Sequence, residues 1–217
     1  MNRNTPVVVF LSLMAFVPVL LAVNQAVPAG SVFKQVVLLL SLAAFGLVLG
    51  QFWLSRLGSR NVATVNPAVV LRWHKIVGYS GGGFLLIHPV LMIARRFWVL
   101  ESDPLDNLLL MLRAPAMVPA IVAWMLLVLL AVFAFARQGL PAKTWRITHG
   151  LVSSGFAAMA VWHVVAVGRH SNAAMSAYWI ILAAGTVGAL LFSYRHSFQQ
   201  ARSRRPSDIK GGAHEPA

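Results

Sequence analysis

The spacing of four histidines constrains this chain more than any other feature. His74 and His88 stand fourteen residues apart in an apolar stretch of helix length, and His149 and His163 repeat that separation in another. Fourteen residues of α-helix advance about 21 Å and turn through about 1400°, about 40° short of whole turns, so the two histidines of a pair share one face. Two such helices side by side set one imidazole from each against the other at two levels. Imidazole is a standard axial ligand of haem iron, so this pattern suits two b-type haems held by four histidines. The alternative is that these are polar residues near helix ends or packing histidines inside a bundle.

The step between the levels, about 21 Å, covers most of a hydrocarbon layer about 30 Å thick. Composition points to the same setting, with 59% hydrophobic and only 11% charged residues over 217 positions. Long uncharged runs of this kind indicate an integral membrane protein. The net charge of +13 is scattered through short loops and the tail, which fits membrane orientation better than nucleic-acid binding. Without cysteine the chain has no disulfide, no cysteine-ligated cluster and no covalent haem attachment.

The expected fold is an all-α, six-helix membrane bundle over residues 1–196, with spans near 7–23, 33–54, 69–94, 115–136, 147–167 and 175–194. The first span reads as a retained helix, a cleaved signal peptide being the alternative because small residues surround Pro28. A connector with Pro28 and Gly30 leads into the second span, where Gln51 is placed to reach headgroups or a neighbouring helix. The third span holds Gly81, Gly82 and Gly83 between its histidines. Glycine weakens a helix by roughly 1 kcal/mol against alanine, so the run implies either a flat macrocycle against the backbone or close helix packing. Pro89 is placed to kink the helix and re-aim His88. Arg95 to Arg113 reads as the longest loop, with Phe97 and Trp98 at the interface. Its acids Glu101, Asp103 and Asp106 are either solvated or a cation site. Residues 197–217 read as a disordered basic tail.

With six spans and the N-terminus inside, thirteen basic residues fall on the inner side and five on the outer. The positive-inside rule then places both termini in the cytoplasm of an inner-membrane protein. The third and fifth spans run the same way, which pairs His74 with His149 at the inner level and His88 with His163 at the outer. Arg72, Lys75 and Arg146 lie within a turn of the inner histidines and are candidates to neutralise haem propionates, topology control being their other reading. Arg95, Arg169 and His170 are the outer candidates.

These residues resemble the ferric reductase-like transmembrane domain. The likeness runs from about Gln35 to His196 and rests on Arg72, His74, Lys75, Gly78, Leu86, His88 and Pro89, then Trp145, Arg146, His149 and His163. It implies two haem b groups between the third and fifth spans, with His74, His88, His149 and His163 as ligands of the haem iron, and electron transfer across the membrane to an acceptor such as ferric iron or oxygen. The chain departs from full-length reductases in having about twenty residues after the last helix and no glycine-rich dinucleotide fingerprint. A flavin and nicotinamide domain is therefore not expected here. The chain is also similar to the haem-binding membrane subunit that feeds a periplasmic methionine sulfoxide reductase.

The expected function is an oxidoreductase component that takes electrons from a separate flavoprotein or membrane quinol and passes them outward, with a possible periplasmic redox partner. Two alternatives stand beside it. One is a haem-binding structural or assembly subunit of a larger complex. The other is a small transporter or channel whose histidines line a path, although the spans carry almost no acid at mid-depth.

Overall fold

A computed structural model describes residues 5–25, 31–57, 66–100 and 103–203, all of whose regular structure is helical. Seven α-helices follow in order: α1 (Thr5–Val23), α2 (Val32–Leu57), α3 (Pro67–Leu100), α4 (Pro104–Arg113), α5 (Val118–Ala136), α6 (Ala142–Val167) and α7 (Ala173–Ser203). Short 3-10 turns over Pro115–Met117 and Arg137–Gly139 flank α5.

Among the described residues, five helices are long and apolar enough to cross a membrane: Thr5–Val23, Val32–Leu54, Pro67–Arg95, Pro115–Gly139 with its flanking turns, and Ala142–Val167. Ala173–Gly188 is a shorter apolar helix. Phe16, Phe135, Leu151, Trp162 and Ile181 all lie exposed on the outside of the bundle. A helix apolar on every face is stable only where lipid takes the place of water, so this is a multi-pass membrane protein.

The bundle is built from neighbouring helices in contact. α2 packs along both α1 and α3, α5 packs along α6, and α7 closes against α6, α2 and α1. One buried cluster joins five helices through Ala22, Phe45, Leu127, Phe156, Met175 and Trp179. A second, of Val7, Leu11, Leu54, Val70 and Val77, ties α1 and α2 to the start of α3. Phe45 and Trp179 meet with ring centroids 4.8 Å apart, fastening α7 to α2.

Close packing between α2 and α3 explains part of the glycine run. A Cβ on Gly81 would stand 3.3 Å from Val48 Cγ2 and 3.4 Å from the Ala44 carbonyl oxygen, so the two backbones approach there. Gly83 faces no atom within 4 Å. Gln51, buried on α2, lies beside Gly78, which makes it a helix-helix contact. α3 remains helical through Pro89. Three residues before it, the Leu86 carbonyl accepts a 3.0 Å bond from Trp124 Nε1, which ties α3 to α5.

The expected long loop is corrected. α3 runs on to Leu100, and α4 occupies Pro104–Arg113. Asp103 caps α4, its Oδ1 accepting from Leu105 N–H at 2.8 Å, and Pro104 follows at the first helical position. Two of the three acids thus start a helix, while Glu101 lies outside the described residues. The Phe97 and Trp98 side chains, the connector with Pro28 and Gly30, and positions 204–217 of the basic tail lie outside them also.

The fold expectation is corrected as well. A six-helix ferric reductase-like bundle with haems between spans three and five gives way to an all-α, multi-span bundle with five long spans among the described residues. No group of three or more His, Cys, Asp or Glu side chains that could hold a metal ion is gathered between any of its helices, among the described residues.

Candidate functional site

The four histidines lie on the facing sides of α3 and α6. His74 and His149 meet with ring centroids 6.2 Å apart and planes 74° to each other. His88 and His163 line one cavity of about 400 Å³. The two helices therefore run in the same direction, and the two levels are about 21 Å apart along them.

At the first level, Trp145 stacks on His149 with centroids 4.8 Å apart and planes 23° apart, one helical turn away on α6. The Arg137 guanidinium lies 6.0 Å from the Trp145 ring centroid, at the outer limit of a cation-π contact. The sequence reading gave Trp145 no role of its own, and the four-residue spacing from His149 was the signal for it. Nδ1 of His74 and Nδ1 of His149 are buried without a hydrogen-bond partner among the described residues. Arg72, Lys75 and Arg146, each within three residues of His74 or His149 in the chain, have exposed side chains.

At the second level, the cavity walls are largely apolar, formed by Leu42, Phe45, Leu85, Leu127, Phe156 and their neighbours. Among the described residues its polar lining consists of Ser41, Lys34, Arg169, Ser171, His88, His163 and His170, with no acid. Ser41 Oγ lies 2.7 Å from His88 Nδ1 and also donates to the Val37 carbonyl at 2.6 Å. A hydroxyl has one hydrogen, so with that hydrogen on Val37 the oxygen accepts from His88 Nδ1–H. The tautomer that follows leaves His88 Nε2 as an acceptor. Ser41 was not singled out in the sequence, since serine inside a helix commonly bonds its own preceding turn, as this one also does.

His163 Nδ1 is buried without a partner among the described residues, and so are both ring nitrogens of His170, a residue only 4% exposed. The His170 carbonyl accepts from Gln25 Nε2 at 2.9 Å, which ties the α6–α7 connection to the end of α1. Burial, then the neighbouring Arg169 charge, hold the His170 imidazole below its ordinary pKa of 6.5. Arg95 is not at this cavity and instead bonds Ser31 Oγ through Nε at 3.3 Å.

The donor count corrects the cofactor expectation. Each level supplies two imidazoles, no third histidine, cysteine or carboxylate joins either pair as a metal-ion site among the described residues, and the chain has no cysteine. The resemblance to a bis-haem membrane cytochrome, the two haem b groups, ligation of iron and the oxidoreductase role in electron transport are withdrawn on this finding. The described geometry instead offers imidazole nitrogens along the inside of an apolar bundle, able to exchange hydrogen bonds with a small molecule.

Comparison with known proteins adds a relative. The chain is 29% identical over 160 residues to an uncharacterized protein of Archaeoglobus fulgidus, covering 71% of this chain and 87% of that one. No family model matches the sequence. No solved structure matches it.

Proposed function

We propose that this chain is a small transporter or channel of the inner membrane, with both termini in the cytoplasm, whose histidines form two polar stations along a path between α3 and α6. The observation that carries this reading is the apolar cavity in which His88, His163 and His170 present imidazole nitrogens, three of them with no partner among the described residues. Leaving a buried polar atom unpaired costs roughly 1–3 kcal/mol. That cost is understandable where a passing solute completes the hydrogen bonds, and polar groups inside a membrane commonly mark such a path. His74 and His149 supply a second station nearer the other side.

Wall chemistry narrows the solute. Lys34 and Arg169 are the charged residues of the cavity lining, which holds no carboxylate among the described residues. A small neutral or anionic solute suits the site, with imidazoles trading hydrogen bonds along the way. Orientation rests on the thirteen-to-five division of basic residues between the two sides, which counts α7 as a sixth crossing beside the five long spans.

The test is reconstitution of the full chain into vesicles, with flux read for protons, chloride, nitrate and formate. The expected result is flux of at least one probe above protein-free vesicles, reduced several-fold by His88→Ala and by His163→Ala. Two results would overturn the reading: flux no greater than in empty vesicles for every probe, or purified protein carrying a stoichiometric coloured group in this cavity.

A further inference from the structure

We infer that α4 is an interfacial helix that lies in the surface of the bilayer and seats a leucine stripe against lipid. Its position fixes the level. The spanning part of α3 ends at Arg95, α4 starts at Pro104, and the next spanning segment begins at Pro115. A ten-residue helix tethered at both ends to membrane-spanning segments stays at the boundary between hydrocarbon and headgroups.

The sequence of α4 sorts itself around the axis for that place. At about 100° per residue, Leu105, Leu109 and Leu112 fall within about 60° of arc. All three are exposed in the structure. Asp106 and Arg113 lie about a quarter turn to one side of this stripe, and Leu108 and Met111 about a quarter turn or more to the other. Met111 points inward, since it lines the cavity of His88 and His163, and α4 packs against α3. One side of the helix is therefore held by the bundle, the opposite side carries the charges with exposed Leu110 just beyond Asp106, and the leucine stripe lies between the two sides.

Lipid is the occupant that fits this stripe. Water would leave three leucines bare, and removing apolar surface from water is favourable in proportion to the area removed. An amphipathic helix with its apolar face in the headgroup and acyl boundary, and its charges toward water, recovers that free energy without another protein.

The absence of native cysteine makes a direct test simple. Leu109→Cys and Asp106→Cys, each in the full chain, are labelled with the polarity-sensitive fluorophore NBD and reconstituted into phosphatidylcholine vesicles with iodide available on both faces. The label at 109 should emit to the blue of the label at 106. It should also be quenched several-fold more by doxyl-labelled lipid than by iodide, with the order reversed at 106. Leu112→Cys gives the same reading if Leu109→Cys does not fold. The inference is overturned if the leucine-stripe label is as open to iodide as the label at 106, or if it is shielded from iodide and lipid quencher alike.

Discussion

Ser41 on α2 and His88 on α3 are joined by a 2.7 Å bond whose direction is set by a third group, the Val37 carbonyl that takes the serine hydrogen. Because Ser41 must then accept, His88 donates from Nδ1 and keeps the lone pair of Nε2 for the cavity. The pair fixes the tautomer of one wall residue through the packing of two helices, and it links the fold to the chemistry of the site.

Ser41→Ala removes the acceptor and strands a donor inside the bundle. The expected cost is about 1–3 kcal/mol of stability, the penalty for a buried donor with no partner. Nitrogen NMR of labelled histidine should show His88 losing its fixed tautomer. Thermal unfolding should show the loss of stability, and a double-mutant cycle with His88→Ala should recover much of it as coupling. Independent, additive effects would mean that the bond does not set the imidazole.

Two glycines should respond to alanine in opposite ways. At Gly46 a Cβ would collide with the Met14 carbonyl of α1, a backbone atom that cannot swing aside, whereas at Gly83 it would meet nothing within 4 Å. Gly46→Ala should therefore destabilise by about 1–3 kcal/mol through overpacking. Gly83→Ala should be neutral or stabilising by up to about 1 kcal/mol through helix propensity. Unfolding temperatures of the two variants in one detergent decide the matter, and equal losses would refute it.

Much of this architecture was readable from the chain because lipid asks for long apolar helices, and α1, α2, α3, α5 and α6 announce themselves by run length alone. The facing of α3 and α6 was readable too, since one returning span makes them run the same way and sets His74 by His149. α4 was not: ten residues are too few for apolar run length to show, and its acids looked like loop residues until Asp103 proved to be the cap. Helical periodicity fixes which faces meet but does not show whether further ligating side chains gather beside the paired histidines, and among the described residues no group of three or more does, which is the finding against the haem expectation. Trp145 and Ser41 act through local spacing and a shared carbonyl, and both become visible only with neighbours in place.

Trp145 should hold His149 in its stacked position. A paired aromatic contact adds about 0.5–1.5 kcal/mol beyond the area it buries. Trp145→Ala is expected to lose that along with the packing of the indole, while Trp145→Phe keeps a ring against the imidazole and recovers most of it. Thermal unfolding of the two variants provides the comparison. A phenylalanine variant as unstable as the alanine one would show that stacking is not what the indole supplies.

His170, in the connection between α6 and α7, gives the bundle a predictable dependence on pH. Its imidazole is held below the ordinary value of 6.5, first by burial and then by the Arg169 charge, so the folded protein resists a proton that the unfolded chain accepts. When the unfolded state binds more protons, stability falls as pH falls. The contribution of this residue is complete above about pH 6.5 and is lost progressively below it, down to the lower pKa of the folded state. His170→Gln keeps a neutral polar side chain and takes the titration away. Unfolding temperatures from about pH 8 to about pH 5 should therefore drop more steeply for the native chain than for the variant, since only the native chain has this proton to take up. Parallel curves for the two proteins would place the acid sensitivity elsewhere, and a steeper curve for the variant would reverse the sign argued here.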